Sequence, residues 1–400
     1  MSTLKTLTED EWKTIIPFLQ VDDLLSLRQV SRYFRTLCSE IARYLPDRRV
    51  WIRELDESIV TTLKSLLICL DWSLLAKRYE FSALNEFTSI HTIDLSFTAV
   101  VDVSMLGNVH HLVLKHTEVA DVSMLGNNYY LDLRGTKVTD ASNLGTVYHL
   151  DLSDTWVTDV SKLGSVHHLN LNDTNVADAS MLGTVHHLDL TWTKVTDVSK
   201  LGNVRELNLR CTGVTDLSML GNVHWLDLGN TKVTDVSMLG NVHYLDLTYT
   251  KVTDVSMLGN VHHLDLTCTG VTDVSMLGNV YHLDLRGTDV ADVSMLGSVH
   301  HLVLSDTRVY DVSNLGNVYY LDLSHTNVTD VSMLGNVHHL NLKSTKVTDV
   351  STLGGVYYLN LSFTRVIDVS MLGNVHHLDL KWTRVIDVSM LDKVPELDFN

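Results

Sequence analysis

Proline is nearly missing, with three in 400 residues, and cysteine is scarce, with four. Cys38, Cys69, Cys211 and Cys268 form neither a CxxC pair nor a zinc spacing. No disulfide framework or zinc module is therefore expected, and the thiols read as reduced, in a cytoplasmic setting. No apolar run reaches the about 18 residues that a membrane helix needs, so no membrane partner is expected. The opening stretch MSTLKTLTEDEW lacks the apolar segment of a signal peptide, and export is not expected. Positive charge is also in short supply: 30 Lys and Arg face 48 Asp and Glu, for a net charge of −18. Residues 1–90 are nearly balanced, 12 against 13, and the remainder holds 18 against 35. A surface that acidic repels phosphate backbones, which disfavours a nucleic-acid partner.

What is abundant is repetition. From Ile93 to Leu397 a 19-residue unit, L-D-L-x-x-T-x-V-T-D-V-S-x-L-G-N-V-x-x, recurs without an insertion or deletion. Numbering the unit from its first leucine, Thr holds position 6 from Thr98 to Thr383 and Asp holds position 10 from Asp102 to Asp387. Gly holds position 15 except at Asp392. A fixed period of this kind is the mark of a solenoid, in which each coil contacts only its neighbours. The alternating leucines of positions 1 and 3 predict a short strand facing a shared core, and parallel pairing of successive strands follows. Asp and Ser at positions 10 and 12 suit a tight or 3₁₀ turn with its first amides capped, and Gly at position 15 suits a turn end with φ > 0. A buried Asp row drawing on turn amides, and a Thr row bonding between coils, are expected.

V-H-H-L-D-L-T-C-T-G-V (261–271) resembles the leucine-rich repeat, with Thr at the family's Asn position, and D-V-S-M-L resembles the D-I-S-P-L of internalin-type repeats. The fold class that this implies is an α/β solenoid, a leucine-rich-repeat parallel β-solenoid of 19-residue coils over residues 89–400. Its coils are mostly strand plus a turn, because 19 residues leave no room for a convex α-helix.

Residues 1–45 stand outside the repeat. Leu24, Leu27, Val30, Phe34, Leu37 and Ile41 recur at helical spacing. The stretch L7-T-E-D-E-W-K-T-I-I-P-F-L-Q-V-D-D-L-L-S-L-R-Q-V-S-R-Y-F-R-T-L37 resembles an F-box, with Thr8 where that family usually has proline. The resemblance implies an all-α domain docking a Skp-type adaptor, and through it a cullin ubiquitin ligase, by way of Leu7, Ile16, Leu19, Leu24, Leu27 and Val30. The solenoid would then recruit a protein substrate. Near-identical tandem repeats beside an F-box resemble proteins encoded by giant DNA viruses of amoebae, which would turn a ligase on host proteins. The plainer alternative is a stand-alone interaction scaffold with a helical cap. Residues 46–88 read as a helical linker, with one apolar helix over 63–77.

The residues flanking the leucines form columns. Position 19 is His or Tyr in most coils, and position 2 is Asp, Asn or Val. Rings stacked between strands, beside carboxylates whose repulsion the imidazoles relieve by partial protonation, predict a charge change between pH 5 and 7. No coil singles out a nucleophile, a base or a closed ligand set, so no catalytic residue, no metal site and no cofactor is assigned, and no enzyme activity is expected. Specificity belongs where the columns vary, at positions 5 and 7 and where the paired histidines give way to Arg205-Glu206. Trp156, Trp192, Arg205, Trp225 and Tyr249 are the candidate partner-binding residues, being aromatic or Arg anchors. The final strand ends without a cap, which offers an edge for a homodimer.

Overall fold

The computed structural model describes residues 48–52, 72–76 and 92–399. The chain divides into two units, residues 1–186 and 187–400. In the first, β1 (Arg48–Ile52) pairs in parallel with β2 (Trp72–Ala76), and β2 pairs with β3 (Thr92–Asp94). Three-residue strands then follow at 19-residue intervals to β7 (His168–Asn170), each parallel to the last. The second unit repeats the arrangement from β8 (His187–Asp189) to β19 (Glu396–Asp398).

The coil follows from its letters. Around β12 (His263–Asp265), Val255, Leu258, Val261, Leu264, Leu266 and Val271 are buried, and the equivalent residues of other coils are buried with them. One coil cannot cover such a face alone, so stacking supplies the core, at about 1.5–3 kcal/mol for each fully buried side chain. The backbone is bonded from coil to coil: Leu266 N donates to Asp284 O at 2.8 Å, and Cys268 N to Arg286 O at 2.8 Å.

Asp265 Oδ1 accepts the Thr267 amide at 2.8 Å and closes the bend after the strand. Thr269 then donates twice to Leu266 O, from its amide at 3.1 Å and from its hydroxyl at 2.7 Å. The Thr row therefore works within each coil and does not bridge coils as expected. The carbonyl three residues back closes a local turn and lies 2.7 Å from the hydroxyl.

On the turn side, Asp254 Oδ1 accepts the Ser256 amide at 3.0 Å, and this bond recurs from coil to coil. The position-10 carboxylates are exposed, not buried as expected, since water covers them on the outer side of the turn. Turns of 3₁₀ type form at Ser104–Leu106, Ser237–Leu239 and Leu353–Gly355.

Position-15 glycine serves a different purpose from the one expected. Gly107 has φ −62° and Gly240 φ −61°, ordinary right-handed values. The need is for space: a Cβ on Gly259 would lie 2.4 Å from Met276 O of the next coil.

The helix expected over 63–77 is corrected at its described residues, because Trp72–Ala76 is a strand. Its pairing sets Leu74 opposite Ile93, a 19-residue step, so the coil register reaches back past residue 89 although the repeat letters do not. An unpaired sheet edge bonds an extended neighbour through its backbone, whatever the helical periodicity of that neighbour. The helices expected within residues 1–45, including Leu7, Ile16, Leu19, Leu24, Leu27 and Val30, lie outside the described residues. Among the described residues, no helix is long and apolar enough to cross a membrane.

Candidate binding surfaces

Position 18, just before each strand, and position 19, its first residue, carry two ladders of stacked rings. In the second unit one ladder runs His224, His243, His262, Tyr281, His300, with centroids 4.5–4.8 Å apart. The other runs Trp225, Tyr244, His263, His282, His301, Tyr320 and tightens to 4.0 Å at His263–His282 and 3.9 Å at His301–Tyr320. In the first unit His110, Tyr129, Tyr148 and His167 stack in the same way. The strand spacing of about 4.8 Å sets the step, and rings at that distance attract one another.

Stacking removes water from the imidazoles. His263 and His282 are pushed down to about 4, first by burial and then by the neighbouring histidines. His301 and His339 are lowered, burial again leading. The expected protonation between pH 5 and 7 is thus overturned for His263 and His282: charging a ring in a half-dry ladder, beside other imidazoles, is unfavourable. Several strand carboxylates shift the other way, upward. Burial and the Asp246 carboxylate raise Asp227 to about 6, and burial raises Asp132, Asp265 and Asp284. Arginines at position 4 lie over this row. Arg134 pairs with Asp151 at 2.7 Å, and Arg210 lies 3.8 Å from both Asp227 and Asp246. Two glutamates at ladder positions hold a histidine each: His187 Nδ1 is 2.5 Å from Glu206 Oε2, and His377 Nδ1 is 2.6 Å from Glu396 Oε2.

The column read as variable, position 5, has one backbone conformation. Every residue in it from Phe97 to Trp382 has positive φ, between 52° and 68°. Gly135 and Gly287 occupy it without strain, and Asp and Asn tolerate it. Trp192 (φ 58°), Tyr249 (φ 57°), Phe363 (φ 59°) and Trp382 (φ 60°) pay about 1–2 kcal/mol each to be there. These four rings are exposed. They form a ridge at the end of the strands, with Lys343 over Phe363 and Lys115 over Phe97 as cation–π pairs.

The five partner-binding candidates are not brought into one cluster. Trp156, in the first unit, stands exposed at position 7. In the second unit Trp192 and Tyr249 share the ridge three coils apart, Arg205 is exposed at position 18, and Trp225 stacks on Tyr244 at 5.2 Å within a ladder. Reasoning from sequence missed the position-18 ladder, signalled by the first letter of each His-His or Tyr-His pair. It also missed the exposed methionines of position 13, signalled by the recurring Ser-Met-Leu.

The fold is that of the leucine-rich-repeat proteins. Solved structures with this architecture include a leucine-rich-repeat protein of Leptospira interrogans, 18% identical, with TM-score 0.54 over 87% of this chain and 93% of that one. The functional domain of InlJ from Listeria monocytogenes is 20% identical, with TM-score 0.53 over 79% of this chain and 74% of that one. The ectodomain of the Arabidopsis thaliana receptor kinase GASSHO1/SCHENGEN3, in complex with Casparian strip integrity factor 2, is 14% identical, with TM-score 0.54 over 91% and 56%. No protein-family profile and no curated protein matches this chain.

Proposed function

We propose that the chain is a protein-interaction scaffold whose position-5 ridge contacts a protein partner. The observation that carries this is the φ of Trp192, Tyr249, Phe363 and Trp382. Large exposed rings stand where glycine would fit without strain, so the fold gives up stability to display them. The ectodomain of the plant receptor, which holds an integrity factor, supports the same use of the fold. A photo-crosslinking residue placed at Trp192 or Tyr249 in the full chain, with the exposed Ser351 as control site, tests the reading. Crosslinks to a protein at the ridge and not at Ser351 are expected, and equal capture at all three sites overturns it.

The finer reading is a substrate adaptor of a Skp–cullin–F-box ligase in the cytoplasm. It is supported by the residues of 7–37 that match the F-box pattern. Purified Skp-type adaptor should retain the full chain and lose it on Leu24→Asp. If the parent chain is not retained, the scaffold reading stands alone.

A further inference from the structure

Eleven of the twelve methionines occupy position 13, and only Met1 lies elsewhere. In the second unit Met219, Met238, Met257, Met276 and Met295 hold it in five successive coils, each 55–61% exposed. The fold does not require methionine here. Asn143, Lys162, Lys200, Asn314 and Thr352 stand at the same position in other coils. The position-15 glycine packs against the backbone carbonyl of this residue, not against its side chain.

Beside this row runs a row of acid. Asp216, Asp235, Asp254, Asp273 and Asp292 are exposed, and the amide of the serine two residues on holds each carboxyl below its usual range. The neighbouring charges that act on Asp254 and Asp273 are the carboxylates of adjacent coils. Successive coils leave notches between the two rows. One of 410 Å³ is lined by Asp235, Ser237, Asp254, Ser256 and Met257.

We infer that this acidic, methionine-lined face of residues 216–295 docks a basic amphipathic helix of a partner protein. The cationic heads enter the notches between successive carboxylates, and the apolar stripe lies on the methionines. Five coils at about 4.8 Å span about 19 Å, the length of about 13 helical residues. A helix turn of about 5.4 Å nearly matches the coil step, and unbranched, polarizable methionine absorbs the difference. An aliphatic β-branched row could not adapt in this way. The surface is separate from the ridge and does not depend on the function proposed for it.

The experiment measures fluorescence anisotropy of a labelled synthetic peptide of about 14 residues, Leu on one face and Lys or Arg on the other, with the full chain. The variant replaces Met238, Met257 and Met276 by Asn, a residue that this position already accepts at Asn143 and Asn314. Binding should weaken at least about tenfold in the variant and fall with rising salt. It should be unchanged in Trp192→Asp, and absent for the Lys→Glu peptide. Four results would each overturn the inference: no binding by the parent chain, equal binding by the triple variant, equal binding of a scrambled peptide of the same composition, or self-association that the triple variant abolishes.

Discussion

The imidazoles of His263 and His282 stack 4.0 Å apart at 12°, and both are held far below the usual histidine range, to about 4. The parallel register that sets one ring on the other also makes it unfavourable to charge either.

The sign of the pH dependence follows. Between pH 6.5 and about 4 the unfolded chain binds protons at these two positions that the folded chain refuses. Their contribution is intact above pH 6.5 and is lost as the pH falls toward 4. An NMR titration of the ring protons, assigned with His263→Gln and His282→Gln, should give midpoints near 4. Midpoints at or above 6.5 would contradict the ladder's desolvation.

Asp227 runs the other way. Raised to about 6, it takes up a proton on folding between pH 3.8 and 6, so its ionisation costs stability as the pH rises through that window. Asn at the same position still accepts the turn amide, as Asn208 does for Arg210 N at 3.0 Å. Asp227→Asn should therefore raise the melting temperature at pH 7, with the gain shrinking by pH 4. An equal gain at both pH values would show that its charge is not the cause.

Gly259→Ala meets Met276 O at 2.4 Å, a backbone atom with no rotamer to move. A loss of about 1–3 kcal/mol is expected from urea unfolding. Gly270→Ala is the control, since its nearest contact is a methyl group at 3.1 Å, and it should cost much less. Equal losses would remove the close-approach account of position 15.

Trp192→Gly relieves a left-handed tryptophan and gives back part of the gain as backbone entropy. Stability should hold or rise by up to about 1 kcal/mol while ridge-dependent crosslinking falls. A clear loss of stability would mean that the ring is packed for the fold rather than displayed.

The 19-residue period by itself determined the solenoid, its parallel strands and its core. Leu264, Leu266 and Val271 can be read as inward because a repeat that cannot bury its apolar face alone has one way to bury it. The ring stacking was legible too, since one strand per coil forces identical columns into contact. Three matters were decided by tertiary structure. The strand at Trp72–Ala76 has no repeat letters and is extended because an open sheet edge bonds backbone, which sequence periodicity does not encode. Position 15 is glycine because of a carbonyl one coil away, not because of its own φ, while the positive φ falls at position 5, where letters as different as Gly, Asp and Trp conceal a shared conformation. The ionisation of His263, His282 and Asp227 depends on how much water the ladders exclude, and that is set by the stacking distance, not by the order of residues along the chain.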